Sequence, residues 1–477
     1  MVPTAIRVPR VPDSGALTRA VWPAVAVTAG LAVGVAATFD LTTAIVLAAA
    51  LALAPLVVLF PFWLTPLLIV TVFAQVLSVG GVTISRIIAP LALFVLLVAL
   101  HRGGYVLRKG SPLGWVCAYA LWALASGLWT VHLGDTISAL SSLTIALTYM
   151  FAFAILLRSR RELDRVLYTL AGVALVVGVI GLFTNQGRAV GASGNPNFFA
   201  MVEIFALPLV LALAAEVPRR TLRIVLYAVV LVIILSVFAS LSRGGFLTLV
   251  SVAVAALILP ARSSFFQSQA HKAFVLALIA VFSFVAFKAE SGTLAPRLDS
   301  IFAKDQTGAG RTNVWRGAWT SIKEKPVFGV GYGSFISEAN ELMLRTPGVD
   351  LKNMTLRPRG LYAHNAYIET AAEVGVPGLI LFVGMLIATG RALWRSAVRA
   401  RDVGAGYIMR IANASLISLV AWCIASFFAS SETARPLWIL IGITLALPIL
   451  IEEHTRTSGD EAAQSTRSRR YGRVNAP

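Results

Sequence analysis

The chain has 477 residues, 58% of them hydrophobic and 13% charged, with mean hydropathy +0.81 and formal net charge +18. That composition excludes a set of ordinary soluble domains, because runs of roughly 18 or more apolar residues recur as membrane-spanning helices require. The surplus of Lys and Arg suits loops facing anionic lipid rather than nucleic acid, since no basic cluster sits on a soluble fold.

In chain order, Arg7, Arg10 and Arg19 precede an apolar run from Val21 to Phe39, which reads as an uncleaved first helix because further spans follow at once. About fourteen spans are expected, centred near Ala29, Ala50, Thr71, Leu93, Leu121, Ile145, Leu175, Leu207, Val230, Ala253, Ala280, Val383, Leu419 and Ile443. The second and third meet at a tight turn, Phe60-Pro61-Phe62. Cys117 and Cys423 both fall inside apolar runs and read as small core residues. The fold class expected is therefore an all-α integral membrane protein.

The basic residues mark alternate connections. Arg102, Arg108 and Lys109, then Arg158 to Arg165, Arg219 to Arg223, Arg262 and Lys272, and Arg391 to Arg410 occupy one side with both termini. The other side holds Arg86, Arg188, Arg243 and Arg435 in its short loops. The positive-inside rule then makes both termini cytoplasmic in a cytoplasmic (inner) membrane protein. The expected organisation is eleven spans over 1–288, an external loop over 289–375, three spans over 376–453 and a disordered cytoplasmic tail over 454–477.

The interval 289–375 is the long polar one, and any chemistry is sought there. From Arg311 to Lys325, Val314, Trp315, Ala318, Trp319 and Ile322 share one helical face, which predicts a helix lying along the membrane interface and ending at Pro326. A second amphipathic turn spans Phe335 to Leu344. A further helix begins near His364 and breaks at Gly375-Val-Pro377-Gly378. Gly329, Gly331 and Gly333 alternate, but no strand precedes them, so they read as a flexible turn rather than a nucleotide fingerprint.

Several residues could carry chemistry. Arg243, in Ser242-Arg-Gly-Gly, lies at the junction of two spans, either as an interfacial anchor or as an anion ligand, with the glycines allowing close backbone approach. Arg311 follows Gly310 in the first turn of its helix, where a cation opposes the macrodipole. Free N–H groups and a guanidinium together there suit phosphate. Arg316, five residues on, equally suits lipid headgroups. His364 precedes Asn365 at a helix start, where the imidazolium is disfavoured and a neutral ring can take a proton from a hydroxyl. Glu369 and Glu373 are alternative bases or solvated ion-pair partners. Gly194-Asn195-Pro196-Asn197 reads as a turn and N-cap. No P-loop, nucleophile elbow or metal-spaced His/Cys/carboxylate cluster occurs, so neither metal nor cofactor is expected.

Taken together, Gly-Asn-Pro-Asn-Phe-Phe-Ala200, Ser-Arg-Gly-Gly, Arg-Leu, Gly-Arg-x-x-x-Trp, Pro-x-x-Gly-x-Gly and His-Asn-x-Tyr, in that order, resemble the O-antigen ligase and polymerase superfamily of bacterial membrane glycosyltransferases. The resemblance covers roughly residues 190 to 380. It implies a GT-C-like helical fold and transfer of a glycan from undecaprenyl pyrophosphate to an acceptor hydroxyl outside the cytoplasmic membrane, without metal. It assigns pyrophosphate to Arg243 and Arg311 and acceptor activation to His364. Arg316, Asn365, Tyr367, Asn195 and Asn197 fall at the substrate. The competing reading is a polysaccharide flippase or transporter, which would favour charges at mid-bilayer.

Overall fold

The computed structural model describes residues 57, 59–73, 78–79, 82–101, 111–183, 189–191, 195–258, 311–349 and 360–474. The expected spans at Ala29, Ala50 and Ala280 lie outside them, as do Gly194 and Gly310. The other eleven expected centres all fall inside helices.

After a 3₁₀ turn at Pro61–Trp63, the chain forms α1 (Leu64–Phe73) and a two-residue antiparallel hairpin, β1 (Ser78–Val79) with β2 (Val82–Thr83). Then come α2 (Ile84–His101), α3 (Ser111–Ala125) with a 3₁₀ extension to Leu128, α4 (Leu133–Leu156), α5 (Arg160–Phe183), α6 (Pro196–Glu216), α7 (Arg220–Ala239) and α8 (Arg243–Ile258). Two short helices follow, α9 (Arg311–Glu324) and α10 (Phe335–Arg345), and then α11 (Ala366–Asp402), α12 (Gly406–Ala425) and α13 (Arg435–Val474). Among the described residues, nine helices are long and apolar enough to cross a bilayer, and the chain is a multi-pass membrane protein. The helix α13 continues to Val474, through the stretch expected as a disordered tail.

Local chemistry sets the helix starts. Ser159 and Glu162 form a reciprocal capping box at α5, the carboxylate accepting the N–H groups of Arg158 and Ser159. Asn195 caps α6 by accepting from Asn197 and Phe198, ahead of Pro196 at the first helical position. Asn365 caps α11 in the same way through Tyr367 and Ile368.

Burial then sorts the helices. α6 is buried nearly all round from Phe199 to Ala214 and packs on α7, α12, α5 and α8, as a helix apolar on every face should. α13 packs on α4, and α11 on α3 and α12. Leu121 and Leu124 of α3, Val176 of α5 and Ile224 of α7 are exposed on the outside of the bundle, where lipid would cover them. Cys117 is exposed on that same surface of α3 instead of forming part of the core.

α9, α10 and the first two turns of α11 form a cap with its own apolar core of Val314, Ala318, Ile322, Phe335, Ala339, Leu342, Ala371 and Ala372. The apolar face of α9, expected along the membrane interface, is turned in large part to this cap. Val314, Ala318 and Ile322 face protein, and the Trp315 indole N–H donates to the carbonyl of Ala363. Trp319 alone of the two tryptophans is left largely exposed, with Lys323 Nζ 5.9 Å from its ring.

The alternating glycines form a fixed clasp. Val330 and Gly331 donate to the carbonyls of Ala372 and Glu373, Val330 accepts from Val131, and Tyr332 N–H donates to Ser126 Oγ. Gly331 has φ +105°, and a Cβ there would lie 2.2 Å from Thr130 Oγ1. The clasp joins the end of α3 to the break in α11, where Gly375 adopts φ 71° and ψ 179°.

The contacts also sort the connections into two ends. Segments 126–138, 195–197, 242–243, 330–338, 363–365 and 426–435 touch one another at one end. Arg160, Tyr407, Asp164, Arg410, Glu216, Arg399 and Glu452 meet at the other. That division matches the alternation of basic charge along the sequence.

Candidate active site

Each expected site residue is placed by a helix start. Ser242 caps α8: its Oγ accepts from Gly245 N–H at 3.0 Å and donates to Asn197 Oδ1 at 2.7 Å. Arg243 therefore occupies the first position of α8, beside the Asn195–Asn197 turn. The two glycines after it serve packing, since a Cβ at Gly244 would meet Phe428 at 2.7 Å and one at Gly245 would meet Ala200 at 2.7 Å. This corrects the expectation that they open the backbone to a ligand.

Arg311 begins α9 and is partly buried. Burial, and then the charge of Arg243, push its guanidinium below the usual arginine range. The two arginines, 68 positions apart in sequence, are thus within electrostatic reach of each other.

His364 is joined to both. Trp315, one turn after Arg311, ties α9 to Ala363, and Ser430 Oγ accepts the N–H of His364 at 3.1 Å. Ser430 lies two residues beyond Phe428, which packs on Gly244 next to Arg243. His364 itself has φ 50°, a left-handed conformation that costs a non-glycine residue about 1–2 kcal/mol, although histidine tolerates it better than most. The loop is held from both sides: Glu369 Oε2 accepts from Ala363 N–H at 2.8 Å and from the Ser430 hydroxyl.

Glu369 and Glu373 are 3% and 4% exposed, so neither is a solvated ion-pair partner. The Glu373 carboxylate accepts from the N–H groups of Gly333 and Phe335 and so caps α10. Glu432 is a third acid here, and burial raises its pKa. Burial, Tyr119, Glu432 and Glu373 push the Tyr332 phenol well above its usual range. The acids thus form a buried layer behind the His364 loop. Among the described residues, no group of three His, Cys, Asp or Glu side chains has metal-binding geometry.

The remaining expected residues are occupied otherwise. Arg316 is exposed and donates to the carbonyl of Gly348, tethering α9 to the end of α10. The Tyr367 hydroxyl donates to the carbonyl of Cys423 at 2.8 Å, and its ring packs 4.6 Å from Phe427. Asn365 and Asn195 are helix caps.

Residues 227–383 match the family model described as O-antigen ligase. Over 91 residues the chain is also 34% identical to the exopolysaccharide production protein ExoQ of Rhizobium meliloti (strain 1021), a stretch covering 18% of this chain and 19% of that protein. The matched segment runs from within α7 into α11, so it contains Arg243, Arg311 and His364. It excludes Ser430 and Glu432, which the sequence reading missed. Their signal was a polar knot, Ser430-Ser431-Glu432-Thr433, between two apolar spans.

Proposed function

We propose that the protein transfers a glycan from undecaprenyl pyrophosphate to an acceptor hydroxyl at the external face of the cytoplasmic membrane, as a ligase or polymerase of polysaccharide synthesis. The observation that carries this reading is the pair Arg243 and Arg311. Two like charges held within reach of each other, one partly buried, make a local positive potential that attracts an anion. A diphosphate supplies that anion, and its negative charge grows as the glycosidic bond breaks, so the guanidiniums act most strongly in the transition state. His364 takes the proton of the attacking hydroxyl, a contribution of roughly 10²–10⁴-fold. Asn195 and Asn197 border the donor, and both termini lie in the cytoplasm. Acceptors in this reading are hydroxyl-bearing glycans, lipids or proteins.

The test is glycan transfer by purified protein supplied with a lipid-linked donor. Arg243→Ala, Arg311→Ala and His364→Ala should each abolish transfer while inserting normally. Full transfer by His364→Ala would overturn the base assignment.

A flippase is favoured by one observation, Glu203. It is fully buried within α6, and neither carboxylate oxygen has a hydrogen-bond partner among the described residues. Glu203→Gln separates the readings: transport of labelled lipid-linked glycan across vesicles would fall under the flippase reading, whereas transfer would persist under ours.

A further inference from the structure

The same end of the bundle carries a second basic cluster that neither the sequence motifs nor the transfer chemistry uses. Arg435 is the first residue of α13, and its Nη2 donates to Ser85 Oγ at 3.1 Å. Ser85 and Arg86 lie in the first turn of α2, and Arg86 is exposed and within electrostatic reach of Arg435. The Nε of Arg435 is sealed from solvent and has no hydrogen-bond partner among the described residues. No carboxylate among the described residues forms an ion pair with either arginine, and the one other group acting electrostatically on Arg435 is the Tyr149 phenol.

This arrangement is costly as it stands. A partly buried guanidinium, a second arginine beside it and the starts of two helices all add positive potential, with no ion-paired carboxylate among the described residues to offset it. An anion with several oxygens would meet the exposed Arg86 guanidinium and the first-turn N–H groups of α2, with the Arg435 charge behind them. Arg435 is joined to the His364 loop by the segment 426–434, so the cluster faces the same end as Arg243 and Arg311 while resting on different helices, α2 and α13 instead of α8 and α9.

We propose that Ser85, Arg86 and Arg435 form a second phosphate site, which holds the phosphate headgroup of an amphiphile other than the donor. Two sources share this chemistry: an anionic phospholipid of the bilayer, and a second polyprenyl-linked glycan serving as acceptor. The second source rests on the proposed transfer reaction, and the first does not.

The experiment uses the full chain in nanodiscs of zwitterionic lipid, titrated in separate arms with phosphatidylglycerol, undecaprenyl pyrophosphate and inorganic pyrophosphate. Bound stoichiometry is read by native mass spectrometry. We expect Arg86→Ala, a surface change that leaves the fold intact, to weaken one phosphate amphiphile roughly 10- to 100-fold, the worth of a lost charge-assisted hydrogen bond. Arg243→Ala should leave that binding event in place. Loss in the phosphatidylglycerol arm assigns the site to bilayer lipid. Loss of the second of two undecaprenyl pyrophosphates assigns it to the acceptor. Arg435→Lys, which keeps the charge and removes the fork, should weaken binding less than Arg86→Ala combined with Arg435→Lys. Unchanged binding in the Arg86→Ala protein in every arm would overturn the site, whether or not the protein transfers glycan. Failure of the transfer reading alone would show as phosphate binding at this cluster without any transfer.

Discussion

Ser430 Oγ accepts the backbone N–H of His364 at 3.1 Å, across 66 positions of sequence. The bond fixes a loop that would otherwise relax, because His364 is in a left-handed conformation and the same hydroxyl donates onward to Glu369. A segment between the last two spans thus sets the orientation of a residue at the edge of the cap.

Removing the hydroxyl should therefore act on chemistry more than on stability. For Ser430→Ala we expect kcat to fall at least tenfold with little change in the donor's KM. The loss in stability should be about 1–3 kcal/mol, from leaving polar groups unpaired. Steady-state transfer kinetics with a lipid-linked donor, together with thermal melts, check both. Wild-type kcat would show that the bond does not position His364.

Backbone strain at His364 gives a second expectation. His364→Gly and His364→Ala should be equally inactive, but the glycine variant should be the more stable of the two by about 1 kcal/mol, since it adopts φ 50° freely. Parallel melts in the same detergent decide this.

The clasp predicts a sharp intolerance. Gly331→Ala places a methyl group 2.2 Å from Thr130 Oγ1 at φ +105°, and the cap cannot seat without moving the α3–α4 turn. We expect a loss of roughly 2 kcal/mol or more and cleavage of the cap by added protease. Gly134→Ala in the first turn of α4, which meets nothing within 4 Å and needs no left-handed backbone, should resist that protease as the wild type does.

Glu432 predicts a pH dependence. Burial raises its carboxyl pKa above the unfolded value, so the folded protein holds a proton that the unfolded chain releases. Stability contributed by this group is thus complete below the usual carboxylate pKa of 4.5 and declines as pH rises from there towards the raised value. Glu432→Gln removes that decline. The variant should melt higher than wild type at neutral pH, with the difference closing as pH approaches 4.5. A melting difference that is constant with pH would count against a buried protonated carboxyl.

The arginine pair predicts indifference to metal. Transfer should persist in excess chelator, because guanidiniums supply the positive charge. A strict requirement for added divalent cation, measured in the same assay, would speak against the pair as the diphosphate ligand.

Sequence alone determined the parts that depend on neighbours along the chain. Apolar runs long enough to cross a bilayer located eleven helices, and charge alternation grouped their connections by end. Asn195 and the break at Gly375 were legible because capping and left-handed backbone are local chemistry. What the tertiary structure decided was which face of α9 meets protein, and that the acids of α11 are buried supports for the His364 loop. It also decided that Phe428, Ser430 and Arg435 bring α8, α11 and α2 to one end. Those outcomes rest on contacts between segments far apart in the chain, and hydrophobic periodicity reports that a face is buried without reporting what buries it.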